Sequence, residues 1–455
     1  GDHLRPRRQR TSHGRTHFGA LPATGRDLVG RPADAAPTGR PDRPRQAVYR
    51  RGFGADAHGR RAANAVRGAV RPFQADFLAA VASYRRRDLG RRLRRTARSG
   101  RHRYRHRRTI SRPYSYRRGD CSRAEHAGMK AFRLAIVRQK YRPDGGAERF
   151  VSRALEALEQ QDLDLNVITR EWQGDANPNW HIHLCNPLKL GRISRERGFA
   201  VAARALWQKE RFDLVQSHER IPGCDIYRAG DGVHRRWLLQ RARLLPEWRR
   251  KWLFSNRYHR YVMCAERAMY AAPELKAVIC NAEMIKQEII ADFGVPADKI
   301  TVIYNAIDNQ KFPPADEAQR QRLRKQYQIP QQAHCLIFVG SGFERKGLAA
   351  AIRAVAATDS HLLVIGKDKA EKRYRALAQS LGCGDRIHFM GVQKQTLPFY
   401  QAADALLLPT LYDPFPNVIL EAMSCGLPVI TSTTCGGAEF ITPGQNGFVT
   451  DALDV

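Results

Sequence analysis

The sequence predicts an α/β protein made of two doubly wound domains facing one cleft. The second domain is cut short, and an Arg-rich, disordered extension precedes the first. Three observations predict this. From Phe132 onward, short apolar runs alternate with glycine-bearing turns and helix-length amphipathic stretches, and repeated β–α units of this kind imply a parallel sheet covered on both faces. The pattern starts afresh after Pro313-Pro314, so there are two such sheets. The composition also breaks at residue 129: the first 128 residues hold 33 Arg, no Lys and no Met, and all six Met lie at Met129 or beyond.

That break governs how the formal charge of +34 is read. In residues 1–128, 33 Arg against 9 acidic residues leave +24; in the other 327, 45 Lys and Arg against 35 acidic residues leave +10. The second figure bears on partners, and a modest basic excess suits anionic substrates or an anionic membrane face. Two readings compete for the extension. One is a nucleic-acid-binding arm, as Arg101-His102-Arg103-Tyr104-Arg105-His106-Arg107-Arg108 suggests. The other is translated DNA upstream of a true start at Met129. Arg, Ala, Gly and Pro have GC-rich codons, Lys and Met do not, and natural basic arms mix Lys with Arg, so the second reading is the expectation. Either way, high charge with little apolar periodicity predicts disorder, and no compact apolar stretch follows the charges as in a secretory signal.

The 327 residues from Met129 suffice for two domains. They contain no run of about 18 apolar residues that would span a bilayer. Nine Cys are scattered without a C-x-x-C pair, several inside apolar runs such as Cys335-Leu336-Ile337-Phe338-Val339, and read as reduced, buried thiols in a reducing compartment.

In order, residues 134–137 read as a buried strand, 147–160 as a helix with apolar residues at three-to-four spacing, and 165–168 and 212–215 as further strands. Residues 276–280 form a strand, 282–293 a helix and 300–304 a strand that ends in Asn305-Ala306-Ile307-Asp308. The second domain opens with the strand 335–340 and continues through 362–366, 387–390 and 405–409. The domains are set at 129–308 and 309–455, with the connection near residues 306–316. The chain ends shortly after Gly447-Phe448-Val449, before the helices that would close the second domain. Ligands of such folds bind in the crevice beyond the carboxyl ends of the strands.

Three motifs border that crevice. In Asp413-Pro414-Phe415-Pro416-Asn417-Val418-Ile419-Leu420-Glu421, two carboxylates stand eight residues apart, one in a Pro-bounded loop and one in the first turns of a helix beginning near Asn417. Unpaired N–H groups and a positive dipole end suit a nucleoside diphosphate, with carboxylates free for sugar hydroxyls. A plain capped helix would look the same from this segment alone. Gly340-Ser341-Gly342-Phe343-Glu344-Arg345-Lys346-Gly347 follows a strand and offers two cations to a diphosphate, although a solvated helix start has a similar composition. Pro143-Asp144-Gly145-Gly146-Ala147-Glu148-Arg149 is a glycine turn after the first strand. It is not G-x-G-x-x-G, and no P-loop occurs anywhere, so neither dinucleotide nor ATP binding is suggested.

Together with Val302-Ile303-Tyr304-Asn305-Ala306-Ile307-Asp308, these motifs resemble the family 4 retaining glycosyltransferases of the GT-B type, which have two Rossmann-like domains. The resemblance covers residues 129–455. Residues 221–231 (Ile-Pro-Gly-Cys-Asp-Ile-Tyr-Arg-Ala-Gly-Asp), Arg345-Lys346-Gly347 and residues 429–437 resemble the lipopolysaccharide core branch that adds glucose to inner-core heptose. The resemblance implies transfer of glucose from UDP-glucose by front-face attack, without cofactor or metal. It implies that Glu421 binds the nucleotide ribose, that Asp413 holds donor-sugar hydroxyls, and that Arg345 and Lys346 bind the diphosphate with help from the N–H groups of Asn417, Val418 and Ile419. Val392 would sit by the base, Gly145 and Gly146 would line the cleft, His218 would face the donor sugar and Asp231 would stand near the reacting centre on the acceptor side. Two departures matter. Asp413 replaces the usual Glu and reaches one methylene less far, and Ser341 stands where many members carry a second cation, so Arg345 must supply that charge. No D-x-D occurs near the cleft, and protein cations are expected to take a metal's place. A GDP-mannose-dependent transferase of the same fold is the neighbouring alternative; a nucleic-acid-binding protein acting through residues 1–128 is the alternative of another class.

Residues 235–261 interleave Arg235, Arg241, Arg243, Arg249, Arg250, Lys251, Arg257 and Arg260 with Trp248, Trp252, Phe254, Tyr258 and Tyr261. They read either as a solvated helix pair or as an edge that meets an anionic membrane, where Arg and Trp belong at the headgroup level. The expected setting is the cytoplasmic face of the inner membrane, with a nucleotide sugar, a lipopolysaccharide core acceptor and the membrane surface as partners, and no nucleic acid.

Overall fold

The computed structural model describes residues 131–141, 163–174 and 177–454, all within one compact unit. The Arg-rich extension, the turn with Gly145 and Gly146 and the helix read at 147–160 lie outside the described residues. The first part of the chain supplies β1 (Phe132–Val137), β2 (Lys140–Tyr141), β3 (Leu163–Thr169), β4 (Glu171–Trp172), β5 (Trp180–Leu184), β6 (Leu214–Ser217), β7 (Ile226–Ala229), β8 (Ala277–Cys280) and β9 (Ile300–Val302). Seven of these make a parallel sheet in the order β5-β3-β1-β6-β7-β8-β9, and β2 and β4 pair beside it. The second part supplies β10 (Cys335–Val339), β11 (His361–Ile365), β12 (Ile387–Gly391), β13 (Ala405–Leu408), β14 (Val429–Ser432) and β15 (Gly447–Thr450), ordered β12-β11-β10-β13-β14-β15 and again parallel. Each chain segment starts in mid-sheet, winds outward one way, then returns to wind the other way. The order therefore reverses between β1 and β6 and between β10 and β13, the two places where such folds open a ligand crevice.

The strands are near-continuous apolar runs because helices cover both faces. Leu362, Leu363 and Val364 of β11 are wholly buried, and burying each such side chain contributes roughly 1.5–3 kcal/mol. Two apolar clusters cover the faces of the first sheet and a third encloses the second. One first-sheet cluster also takes in Tyr412, Phe415 and Leu420 from the second half, so the two halves share part of a core.

The structure departs from the sequence reading in places. The strand read at 212–215 lies at Leu214–Ser217. Asp213 instead accepts a hydrogen bond from the Arg133 N–H at 2.9 Å, and the Arg133 guanidinium sits over the Phe212 ring at 4.8 Å. β5 and β7 were not foreseen, because histidines alternate through Trp180-His181-Ile182-His183-Leu184 and Arg228 interrupts the apolar run of β7. Nor was the helix Arg192–Glu210. The helix pair read over 235–261 is three helices: His234–Ala242, Glu247–Ser255 and Arg257–Tyr270. Pro246 stands before the second, and the Asn256 side chain caps the third by accepting from the N–H groups of Tyr258 and His259. Eight described cysteines are free thiols, six of them buried, and burial pushes the thiols of Cys224, Cys280, Cys425 and Cys435 up to about 12. No described helix is long and apolar enough to cross a membrane.

Candidate active site

A basic turn and an acidic loop meet at the carboxyl ends of β10 and β13. After β10 the chain turns into the single helical turn Phe343–Lys346, which carries Arg345 and Lys346 at its end. The Thr410 hydroxyl and the Leu411 N–H, both just past β13, donate to the Arg345 carbonyl at 2.8 Å. Gly347 closes the turn at φ +80°, where a Cβ would lie 1.8 Å from the Pro409 carbonyl oxygen, so only glycine fits. This packing places Lys346 Nζ 2.5 Å from Asp413 Oδ2, with an Arg345 guanidinium nitrogen 3.8 Å from the same oxygen. Both Lys346 and Asp413 are buried. An ammonium has three donors, so pairing with Asp413 leaves Lys346 able to meet an anion.

Pro416 then starts the helix Asn417–Ser424, which no side chain caps. The Ile419 N–H already meets the Pro416 carbonyl at 3.1 Å, which makes Asn417 and Val418 the better placed of the three expected backbone donors. Glu421 follows one turn on, buried, with its Oε2 accepting from the Tyr400 hydroxyl at 2.9 Å. The start of the helix is also tied to the first sheet: Asn305 Nδ2 donates to Asn417 Oδ1 at 2.9 Å, and Arg228 donates to Asn305 Oδ1 at 3.0 Å. Arg228 is enclosed at the end of β7, and burial pulls its guanidinium down to about 10.

The first sheet contributes the opposite wall. His218 follows β6, is buried, and lies 3.0 Å from the Gln216 amide nitrogen through its Nε2. Burial first, then the charges of Arg228 and Arg138, hold it well below the usual histidine range, so it is neutral. Asp231, two residues past β7, opens to solvent at the cleft. The protein around it pulls its carboxyl upward, but Arg138, Arg220, Arg345 and Arg228 together pull harder the other way and hold it below its ordinary value. Arg345 belongs to the second half of the chain, so its charge acts on Asp231 across the cleft. Glu219 beside it is raised by burial despite Arg138. Val392, after β12, is 61% exposed and joins none of these contacts. Among the described residues, no group of three or more His, Cys, Asp and Glu side chains is gathered as a metal ion needs.

Comparison with known proteins bears on this arrangement. A model described as glycosyltransferase family 4 matches residues 144–311, and one described as glycosyl transferases group 1 matches residues 319–455, so that together they take in both sheets. The chain belongs to the GT-B glycosyltransferases. Lipopolysaccharide glucosyltransferase WaaG of Escherichia coli K12 is 26% identical over 327 residues, covering 70% of this chain and 84% of that protein. The lipopolysaccharide core biosynthesis glycosyltransferase LpsE of Rhizobium meliloti is 27% identical over 330 residues, covering 70% and 85%. Among solved structures, WaaG superposes with a TM-score of 0.60 at 24% identity, covering 70% of this chain and 85% of that one. Anabaena HepE in complex with UDP-glucose superposes at 0.51 and 19%, covering 70% and 85%, and speaks to the fold alone.

For this glycosyltransferase, the sequence reading missed several residues that organise the cleft. Asn305 and Arg228 stood inside quoted motifs without a role, and their pairing links segments 77 residues apart. Tyr400 had no local signal, and Tyr412 had only its place beside Asp413.

Proposed function

We propose that the protein is a retaining glycosyltransferase that moves glucose from UDP-glucose to an inner-core heptose of lipopolysaccharide. The observation that carries this reading is the buried Lys346–Asp413 pair set against the uncapped helix that bears Glu421. Negative charge grows on the diphosphate as the glycosidic bond breaks, and groups aimed at that charge before reaction act most strongly in a dry site. Arg345, Lys346 and the N–H groups of Asn417 and Val418 stabilise the leaving diphosphate. Glu421, oriented by Tyr400, accepts from the ribose hydroxyls, and Asp413 holds hydroxyls of the sugar while keeping Lys346 in place. The acceptor enters beside Asp231, which the surrounding arginines keep ionised, and the leaving phosphate takes the acceptor's proton. Neutral His218 serves as a hydrogen-bonding wall rather than a cation. Similarity to two lipopolysaccharide core enzymes supports the acceptor class.

The enzyme works at the cytoplasmic face of the inner membrane through the helix Glu247–Ser255. Trp248 and Trp252 are 61% and 75% exposed there, and the Arg249 guanidinium lies 4.7 Å over the Trp248 ring. Nucleotide release from a panel of UDP-, GDP- and ADP-sugars, with and without delipidated core oligosaccharide, tests the reading. UDP-glucose should be turned over fastest, only with acceptor, and with or without EDTA. A preference for GDP-mannose would replace the donor, and full inhibition by EDTA would replace the metal-free clamp.

A further inference from the structure

Tyr412 sits between the two carboxylate-bearing segments of the cleft. It belongs to the second half of the chain, is 2% exposed, and packs in the apolar cluster of the first sheet. Its hydroxyl accepts from the Val233 N–H at 2.8 Å and donates to Glu288 Oε2 at 2.6 Å, both across the cleft. Val233 lies two residues after Asp231, and Asp413 immediately follows Tyr412. Gly232, between Asp231 and Val233, leaves no room for a side chain: a Cβ there would stand 2.4 Å from the Tyr412 hydroxyl and 2.9 Å from Pro414. The turn bearing Asp231 and the loop bearing Asp413 therefore pack together here, with this hydroxyl as a hydrogen-bonded link between them. Neighbouring contacts cross the same boundary. Glu439 accepts from the Glu283 and Met284 N–H groups at the start of the helix Glu283–Phe293, which bears Glu288, and from the Tyr304 hydroxyl at 2.7 Å.

We propose that Tyr412 is a positioning residue for sugar transfer: its hydroxyl, held by Val233 and Glu288, sets the Asp231 turn and the Asp413 loop in register so that acceptor and donor meet. This rests on the reading that the two carboxylates line the transfer centre. The nucleotide's proposed contacts at Asn417 and Glu421 are held by Asn305 and Tyr400 and take no hydrogen bond from Tyr412. Loss of the hydroxyl therefore misaligns the reacting groups without emptying the nucleotide site.

The test uses the full chain and the variants Tyr412→Phe, Glu288→Gln and Glu288→Leu. UDP affinity by titration calorimetry should stay within about twofold of the parent in all three. With whichever sugar nucleotide the parent turns over, Tyr412→Phe and Glu288→Leu should lose between about 10- and 100-fold in kcat, the scale that small misplacement of reacting groups produces. Glu288→Gln keeps an acceptor for the hydroxyl and should hold kcat within about threefold. Independently of activity, hydrogen exchange in peptides spanning residues 230–242 should quicken in Tyr412→Phe, since the Val233 N–H loses its acceptor. Unchanged exchange, unchanged kcat, or a fall in UDP affinity that matches the fall in kcat overturns the proposal. A parent that prefers another sugar nucleotide changes the proposed donor and leaves this comparison intact.

Discussion

Lys346 and Asp413 are the pair on which the site turns, and each is costly alone. Asp413 is 4% exposed, and removing one partner of a buried ion pair leaves an uncompensated charge worth about 3–5 kcal/mol of stability. Lys346→Ala should therefore both destabilise the fold and slow transfer. The two effects separate in Lys346→Ala/Asp413→Asn, where the buried charge is gone: denaturant midpoints should recover while turnover stays about 10²-fold or more below that of Asp413→Asn alone, the usual cost of losing one electrostatic donor. Recovered turnover in the double variant would make Lys346 a structural partner only. Glu421 is the matching residue for binding. Glu421→Ala should weaken UDP by about 1.5–3 kcal/mol for each charged hydrogen bond lost, and Tyr400→Phe by less, because it only frees the carboxylate to turn. Calorimetry with UDP and with free uracil checks this, since loss of ribose contacts leaves base binding untouched.

Elements were legible where one physical signal dominated. Four strands of the second sheet, β10 to β13, were read to within a residue or two because each is a largely apolar run; β14 and β15, short and ending in Ser and Thr, were not read. The helix bearing Glu421 was read as beginning near Asn417, where it does begin, because Pro416 marks its start. β5 and β7 were not, since an edge strand need bury only one face and a central strand that feeds the cleft can carry an Arg. The site was legible where it is local: the basic turn, and the carboxylates eight residues apart. The hydroxyl bridge of Tyr412 to Glu288 joins positions 124 residues apart, and no spacing rule reaches that far. The same bridge gives the helix Glu283–Phe293 a pH signature. Burial, opposed by the Tyr412 hydroxyl and Arg236 and assisted by Asp292 and Glu266, raises the Glu288 carboxyl from 4.5 to about 7. Between those values the folded protein holds a proton that the unfolded chain has released. The resulting stability is complete below about pH 4.5 and is lost as pH rises through about 7. Relative to Glu288→Gln, the parent should lose on the order of 1–3 kcal/mol between pH 4.5 and pH 8 in urea titrations. Parallel curves would mean that Glu288 is ionised throughout.

At the scale of the whole molecule, part of the basic charge of residues 235–261 is paired within the protein. Arg241 pairs with Glu344 and Arg243 with Asp451, both at 2.7 Å, so these two arginines brace one half of the chain against the other. Arg236 pairs with Asp292 at 2.6 Å within the first half. Of the six other cations in this stretch, Arg249, Arg250 and Lys251 lie on the helix Glu247–Ser255 beside the exposed Trp248 and Trp252, and are the ones proposed to meet a membrane. The proposed acceptor would stand just above lipid headgroups, and an Arg- and Trp-bearing edge is suited to that depth. Each cation near an anionic surface contributes roughly 1 kcal/mol, so three together weaken binding by about 3 kcal/mol when lost. Replacing Arg249, Arg250 and Lys251 with Gln should therefore lower partitioning onto vesicles of anionic lipid by about two orders of magnitude, and added salt should reduce the parent's binding far more than the variant's. Turnover on a delipidated acceptor should be unchanged, because the bracing pairs at Arg241 and Arg243 are untouched. Replacing Trp248 and Trp252 with Ser should weaken vesicle binding in a salt-independent way. If the triple variant partitions like the parent, this helix is a solvated face and its proposed membrane role is wrong.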